Sequence, residues 1–277
     1  MPRLDAMISP GLWRALLDHA QRTHEPLAHI VSKALADYLQ VSHHTLFQVS
    51  TSTALVEGIY QGAVQVGTLR EHGDLGLGTF ENLDGEMVAV DGRFFQARGD
   101  GSVRECDDDA LSPFAVVTRF AAETEVRLAD CPNLQALVSR FDDLRQSDNV
   151  FFALRVDGHF DYVHARAMCK TKEGVPLVRA AAVQPEFEFR DVPGTLVGFW
   201  TPEYAKMFNV PGYHLHFLSA DHQHGGHLLD CRGGDLRLQI QREGDYRLAL
   251  PETEDFLRAD LRRDPSADLA QAEGEKP

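Results

Sequence analysis

Positive charge is scarce in this 277-residue chain. It has 27 Lys and Arg against 42 Asp and Glu, for a net charge of −15. Such a balance favours solubility and argues against a general binder of nucleic acid or anionic membrane. Cysteine is also sparse. Cys106, Cys131, Cys169 and Cys231 lie far apart and form no CxxC. Four scattered thiols do not make a disulfide scaffold at this length, so a reducing compartment is expected. No apolar run is long enough to span a bilayer. The N-terminus lacks the charged start and apolar stretch of a signal peptide. These absences together predict a cytoplasmic protein with no membrane partner. With 43% hydrophobic residues, the chain can build one large domain or two smaller ones.

The first forty residues differ in texture from the rest. "RLDAMIS" alternates Leu4, Ala6 and Ile8, as a short strand would. "SPGLWRALLDHAQRT" follows, with Ser9 as a helix N-cap and Pro10 at the first helical position. "EPLAHIVSKALADYLQ" then sets Leu27, Ile30, Val31, Ala34, Leu35 and Tyr38 on one helical face. Strand, helix, turn and helix in this space resemble a ribbon-helix-helix module, a unit that folds only as an intertwined dimer. From Ser50 onward the pattern is β. "EMVAVDGRFFQARGDGSVREC" reads as three strands joined by Asp91-Gly92 and Asp100-Gly101 turns. "NLQALVSRFDDLR" reads as a helix, and "VFFALRVDGHFDYVHARAM" as a second hairpin about Asp157-Gly158. "GTLVGFW" and "GYHLHFLS" read as strands, "TPEYAKMF" as a short helix, and "DCRGGDLRLQIQ" as a turn followed by a strand. The expected fold class is α+β, mainly β. It comprises two packed mixed or antiparallel β units with few helices, plus a small N-terminal strand-helix-helix module.

Five of the thirteen histidines fall between Gly212 and Cys231. His214 and His216 are two apart on a predicted strand, so their side chains share a face. A third imidazole from the next strand would complete a tri-histidine metal site with open positions. His222, His224 and His227 are the candidates. His227 opens the apolar "HLLDC" after Gly225-Gly226, where an antiparallel neighbour could bring it opposite the first pair. The apolar Leu215 and Phe217 favour an interior setting for that pair. From spacing alone, Glu86 reads as a surface carboxylate at a hairpin edge. Arg155 and Arg166 alternate with apolar residues on the middle hairpin, and either could clamp a carboxylate bidentately or lie solvated at an edge.

Longer blocks say more than spacing. "EHGDLGLGTFENLDGEMVAVDGRFFQ", "PFAVVTRF", "VDGHFDYVHAR" and "GTLVGFWTPEYAKMFNVPGYHLHFLSADHQHGGHLLD" together resemble the α-acetolactate decarboxylase family, from Thr45 to the C-terminus. The resemblance divides the chain into a 1–44 dimerisation module and a 45–277 catalytic domain. It implies a zinc-dependent carboxy-lyase that converts (S)-2-acetolactate to (R)-acetoin and carbon dioxide through an enediolate. It assigns zinc to His214, His216 and His227. It carries Glu86, Thr79 and Arg166 over as catalytic residues, with Arg155 the alternative to Arg166. A C-terminal glutamate that folds back to the metal corresponds to Glu273, with Glu275 the alternative. His222 and His224 have no counterpart in the family.

A second class of function stays open at this point: a ligand-responsive DNA-binding regulator built on the ribbon-helix-helix module. Charge discriminates between the two. Arg3, Arg14, Arg22 and Lys33 are balanced by Asp5, Asp18, Glu25 and Asp37, whereas a DNA-reading ribbon needs excess cation. The enzyme is therefore expected, as a homodimer acting on a small molecule and not on nucleic acid.

Overall fold

The computed structural model describes residues 5–39 and 44–273. Two helices open the chain, α1 (Pro10–Thr23) and α2 (Leu27–Leu39). Strand β1 (Thr45–Val49), helix α3 (Ser52–Val56), strand β2 (Val64–Gln65) and helix α4 (Val66–His72) follow. Then come β3 (Leu75–Thr79), β4 (Glu86–Val90), β5 (Arg93–Ala97), β6 (Val103–Glu105), β7 (Leu111–Ser112), β8 (Phe114–Thr118) and β9 (Thr124–Cys131). Helix α5 (Leu134–Leu144) leads to the long β10 (Phe151–Arg166), helix α6 (Leu177–Ala181) and β11 (Glu186–Thr201). The chain ends with β12 (Gly212–Ser219), β13 (Gly225–Glu243), β14 (Asp245–Ala249), α7 (Glu254–Arg258) and α8 (Ser266–Glu273).

The strands form two main sheets. One has the order β14-β1-β8-β3-β4-β5-β6, antiparallel except where β1 runs parallel to β14. The other has the order β10-β11-β12-β13-β9, and β13 also pairs back to β10, so that ladder closes on itself. Residue parity sorts the side chains into layers. Leu215 and Phe217 of β12 join Phe160, Leu196 and Leu238 inside the closed ladder, where Phe160 meets Phe217 edge to face at 5.7 Å. Val197 and Phe199 point the other way and pack on Leu77, Val88 and Val116 of the seven-stranded sheet. That sheet covers its far face with Val66 and Leu69 of α4. The two-unit, mainly β architecture expected from the sequence is the one observed.

Three local readings are corrected. Asp157-Gly158 is not a turn, because β10 runs straight through it and pairs on both sides, with β11 and β13. A Cβ at Gly158 would come within 2.6 Å of Leu236 Cδ2, so the glycine serves close packing, whereas Asp91-Gly92 does turn a hairpin, with φ of 52° and 74°. β13 likewise passes unbroken through Gly233-Gly234, where a turn was expected. Residues 5–9 form no strand, and Leu4 lies outside the described residues. A ribbon strand needs a partner ladder, and a single chain offers none here. Its two helices are present, and the Ser9 hydroxyl accepts the Leu12 N–H at 3.2 Å as an N-cap. His29 moors the pair to Asp245 of β14 at 3.4 Å. Among the described residues no helix is long and apolar enough to cross a membrane.

Gly198 of β11 tests how tightly the second sheet is built. A Cβ there would come within 2.0 Å of the His214 carbonyl oxygen, a backbone atom that cannot rotate away. Gly198→Ala is expected to cost about 1–3 kcal/mol, as overpacking of a fitted interior does. Thermal or denaturant unfolding measures it.

Candidate metal centre

One row of register partners builds the centre. Arg166 of β10 faces His227 of β13, His227 faces His216 of β12, and His216 faces Val197 of β11. Partners across an antiparallel ladder project to the same side. His214, two residues before His216, joins them on that side. All four side chains therefore leave the second sheet toward the first. There, register partners Thr79 of β3 and Glu86 of β4 come to meet them. Helix α8 closes the site from above with Glu273.

The three imidazoles offer ring nitrogens that all lie within 4.8 Å of one another, so the group could hold a metal ion. His216 Nδ1 donates to the Met87 carbonyl at 2.8 Å, since a carbonyl can only accept. That contact leaves His216 Nε2 bare, 3.2 Å from His214 Nε2. Two nitrogens on a tetrahedral zinc with bonds of about 2.0–2.1 Å stand about 3.3 Å apart. The donor set and its spacing thus fit such an ion. Burial and the Arg166 charge depress all three imidazoles, His214 to about 3 and the others well below the usual histidine value. This environment favours the neutral imidazole with a free lone pair, the state a ligand needs.

Two carboxyls flank the histidines. Glu86 is only 6% exposed, not the surface group its spacing suggested. Its Oε1 accepts the Met168 N–H at 3.1 Å, and its Oε2 lies 3.7 Å from His216 Nε2. Burial raises it to about 8, against the opposing pull of Arg166. Glu273 Oε2 stands 3.3 Å from His227 Nε2 and 3.9 Å from Arg166 Nη2, and burial raises this carboxyl to about 6. Glu275 lies outside the described residues. Arg166 is buried and donates from Nη2 to the Ala272 carbonyl at 2.6 Å, which fastens α8 over the chamber. Thr79 is buried in the wall, its hydroxyl donating to the Gly85 carbonyl at 2.8 Å.

The other candidates lie apart from the three-histidine group. Arg155 is held elsewhere by Asp91 at 2.6 Å and Asp157 at 2.9 Å. His222 stacks on Phe95 and His224 on Phe189, with ring centroids 4.5 and 4.7 Å apart, so both decorate the loop. Sequence reading missed the Met87 and Ala272 carbonyls, which carry no side-chain signal, and Gln184, which sits in an irregular stretch before β11. Ser52 and Gln184 line the inner chamber with Thr79, Glu86, Arg166 and Glu273. Outside it, a cavity of about 790 Å³ reaches from His227 and Glu273 to Trp200 and Tyr213.

Comparison with known proteins follows the same outline. The profile of the family described as alpha-acetolactate decarboxylase matches residues 46–263. An alpha-acetolactate decarboxylase of Methanosarcina mazei is 41% identical over 246 residues, 88% of this chain and 85% of that protein. One from Methylococcus capsulatus is 42% identical over 231 residues, covering 83% and 89%. The crystal structure of alpha-acetolactate decarboxylase from Bacillus subtilis strain 168 superposes with a TM-score of 0.80 at 35% identity, over 83% of this chain and 99% of that one.

The geometry separates ligand from bystander. His216→Ala is expected to abolish metal binding, and His224→Ala to leave it nearly intact. Metal analysis of the two purified variants checks this, and equal losses would sink the ligand assignment.

Proposed function

This chain belongs to the α-acetolactate decarboxylase family, and we propose that it converts (S)-2-acetolactate to (R)-acetoin and carbon dioxide with zinc held by His214, His216 and His227. One observation carries the reading: a buried guanidinium, the buried carboxyl of Glu86 and the half-buried carboxyl of Glu273 converge on a group of three imidazoles. The substrate is an anion, and Arg166 is the cation that meets it there. Breaking the bond to the carboxylate leaves an electron pair on the carbon that bears the hydroxyl. The adjoining ketone takes up that pair, which gives an enediolate. Zinc, when bound, would supply the Lewis acid that stabilises negative charge on the hydroxyl and ketone oxygens.

This chain's residues do the rest. Arg166 orients the carboxylate, while its bond to Ala272 keeps α8 closed against water. Glu86 is a carboxyl whose hold on its proton is raised by burial, with one oxygen accepting the Met168 N–H and the other toward His216. It is suited to deliver one proton to one face of the enediolate and so to set the product's configuration. Thr79 stands beside Glu86 in the same wall, and Glu273 lies near His227. The four cysteines are free thiols, which favours a reducing compartment, the cytoplasm.

The N-terminal module, residues 1–44, serves in this reading to pair two copies of the chain. Its described helices leave Leu12 58%, Trp13 45% and Tyr38 84% exposed, with Ile8 and Leu35 beside them. An apolar face of this kind calls for a partner. Charge favours a second copy. The module holds four basic and four acidic residues, so the whole −15 resides on residues 45–277. Two acidic bodies repel, and the neutral module is where they can meet. The same neutrality disfavours DNA.

Acetoin formation from racemic acetolactate, measured with and without a chelator, tests the activity; turnover insensitive to chelation would remove the metal from it. Glu86→Gln is expected to keep most of its metal while turnover falls about 10²- to 10⁴-fold. Turnover at the wild-type rate would make Glu86 structural. Deletion of residues 1–44 is expected to halve the mass in solution with turnover per metal unchanged. Tight, sequence-dependent duplex binding by the full chain at physiological salt would revive the regulator.

A further inference from the structure

Among the described residues, one half-buried polar side chain of the inner chamber has no hydrogen-bond or ionic partner. Ser52 Oγ donates to the Asn209 carbonyl at 3.2 Å, and Thr79 to Gly85. Glu86 accepts from Met168, Arg166 holds Ala272, and His227 faces Glu273. Gln184 lines the same chamber, and among the described residues its side-chain amide has no hydrogen-bond or ionic partner. Its backbone is nevertheless well fixed. The Gln184 N–H donates to the Ala181 carbonyl at 3.3 Å, and the next carbonyl, of Pro185, accepts the Ala167 N–H at 3.3 Å. Glu186, two residues on, is the register partner of Arg166. Gln184 thus lines the same chamber as the guanidinium from a braced backbone, with Met168, Leu177 and Ala181 as apolar residues of that wall.

From this juxtaposition we propose that Gln184 binds the substrate's carboxylate together with Arg166; the proposal rests on the decarboxylase reading of the site. A carboxylate offers about four lone-pair sites. Arg166 has already committed one of its nitrogens to Ala272. Gln184 adds two N–H donors without adding charge. A second cation here would bind the anion too, but it would also oppose the raised proton affinity of both carboxyls and repel a metal dication. A neutral donor avoids this.

The reaction itself predicts the kinetic signature. As carbon dioxide forms, the carboxylate loses its charge, so contacts to it are strongest in the ground state and weaken toward the transition state. Binding of that kind lowers KM and does not raise kcat. Gln184 is thus a substrate-binding residue, in contrast to Glu86.

Steady-state kinetics on the metal-loaded, full-length protein test this. Gln184→Ala is expected to raise KM for acetolactate roughly tenfold, with kcat within about twofold of wild type. Gln184→Glu sets a carboxyl against the substrate's own carboxylate. Its KM is expected to rise further in alkaline buffer and to recover as the pH falls, because the protonated group donates again. Metal content and melting temperature, measured on both variants, are expected to match wild type, and a purely structural role would not produce the pH-dependent KM. If wild-type protein makes acetoin and Gln184→Ala leaves KM unchanged, or lowers kcat alone, this proposal is overturned by itself. If the wild type makes no acetoin, the decarboxylase reading falls and takes this one with it.

Discussion

The register between β10, β13 and β12 is the constraint on which everything else depends. It aligns Arg166, His227 and His216 in one row and sends them to one side of the sheet. Side chains alternate along a strand, so a slip of one residue would turn His227 into the closed ladder and bring Leu228 out in its place. The closed ladder guards against such a slip, because β10 is pinned by β11 on one side and β13 on the other over most of its length. Gly226 is part of the same device. Its φ is 148°, and a Cβ there would meet the Arg166 carbonyl oxygen at 2.5 Å. Glycine lets β13 come close enough to β10 for His227 to reach the row.

Burial then decides the charge state of each group in the row. Desolvation works against every charged form, so it lowers the imidazoles and raises the carboxyls together. The result is a chamber with one guanidinium, three imidazoles biased to the neutral form and two carboxyls of raised affinity for protons. Such a chamber could hold a metal ion on its imidazoles.

The first sheet and the C-terminal helix complete what the second sheet begins. Met87 fixes the His216 tautomer with a backbone carbonyl, and its neighbour Glu86 faces the same imidazole. One strand thus supplies both an orienting acceptor and an acid, because successive residues of β4 offer backbone and side chain to one partner. Helix α8 is held by Arg166 through Ala272 and by packing of Leu269 and Ala272 in the central core. Glu273 is therefore delivered by a helix whose position depends on the guanidinium beneath it.

Much of this was legible in the sequence, for reasons that can be named. His214 and His216 were readable as one face because strand periodicity needs no knowledge of the rest of the chain. The Asp91-Gly92 turn and the Ser9 cap were readable because each is a local conformational choice. Long ordered blocks of residues carried the family resemblance and, with it, Glu86, Arg166 and Glu273. Local signals misled where packing overrode them. Asp157-Gly158 has the residues of a turn, yet β10 continues, because pairing on two sides outweighs a turn preference worth far less. Which residues lie together, His227 rather than His222 or His224 with the first pair, and Arg166 rather than Arg155 beside them, is visible only in the tertiary structure, because it depends on which strand lies alongside and in what register. So are the burial of Glu86 and the unengaged amide of Gln184. Solvent exclusion is a property of the assembled sheets, and no short stretch of residues encodes it alone.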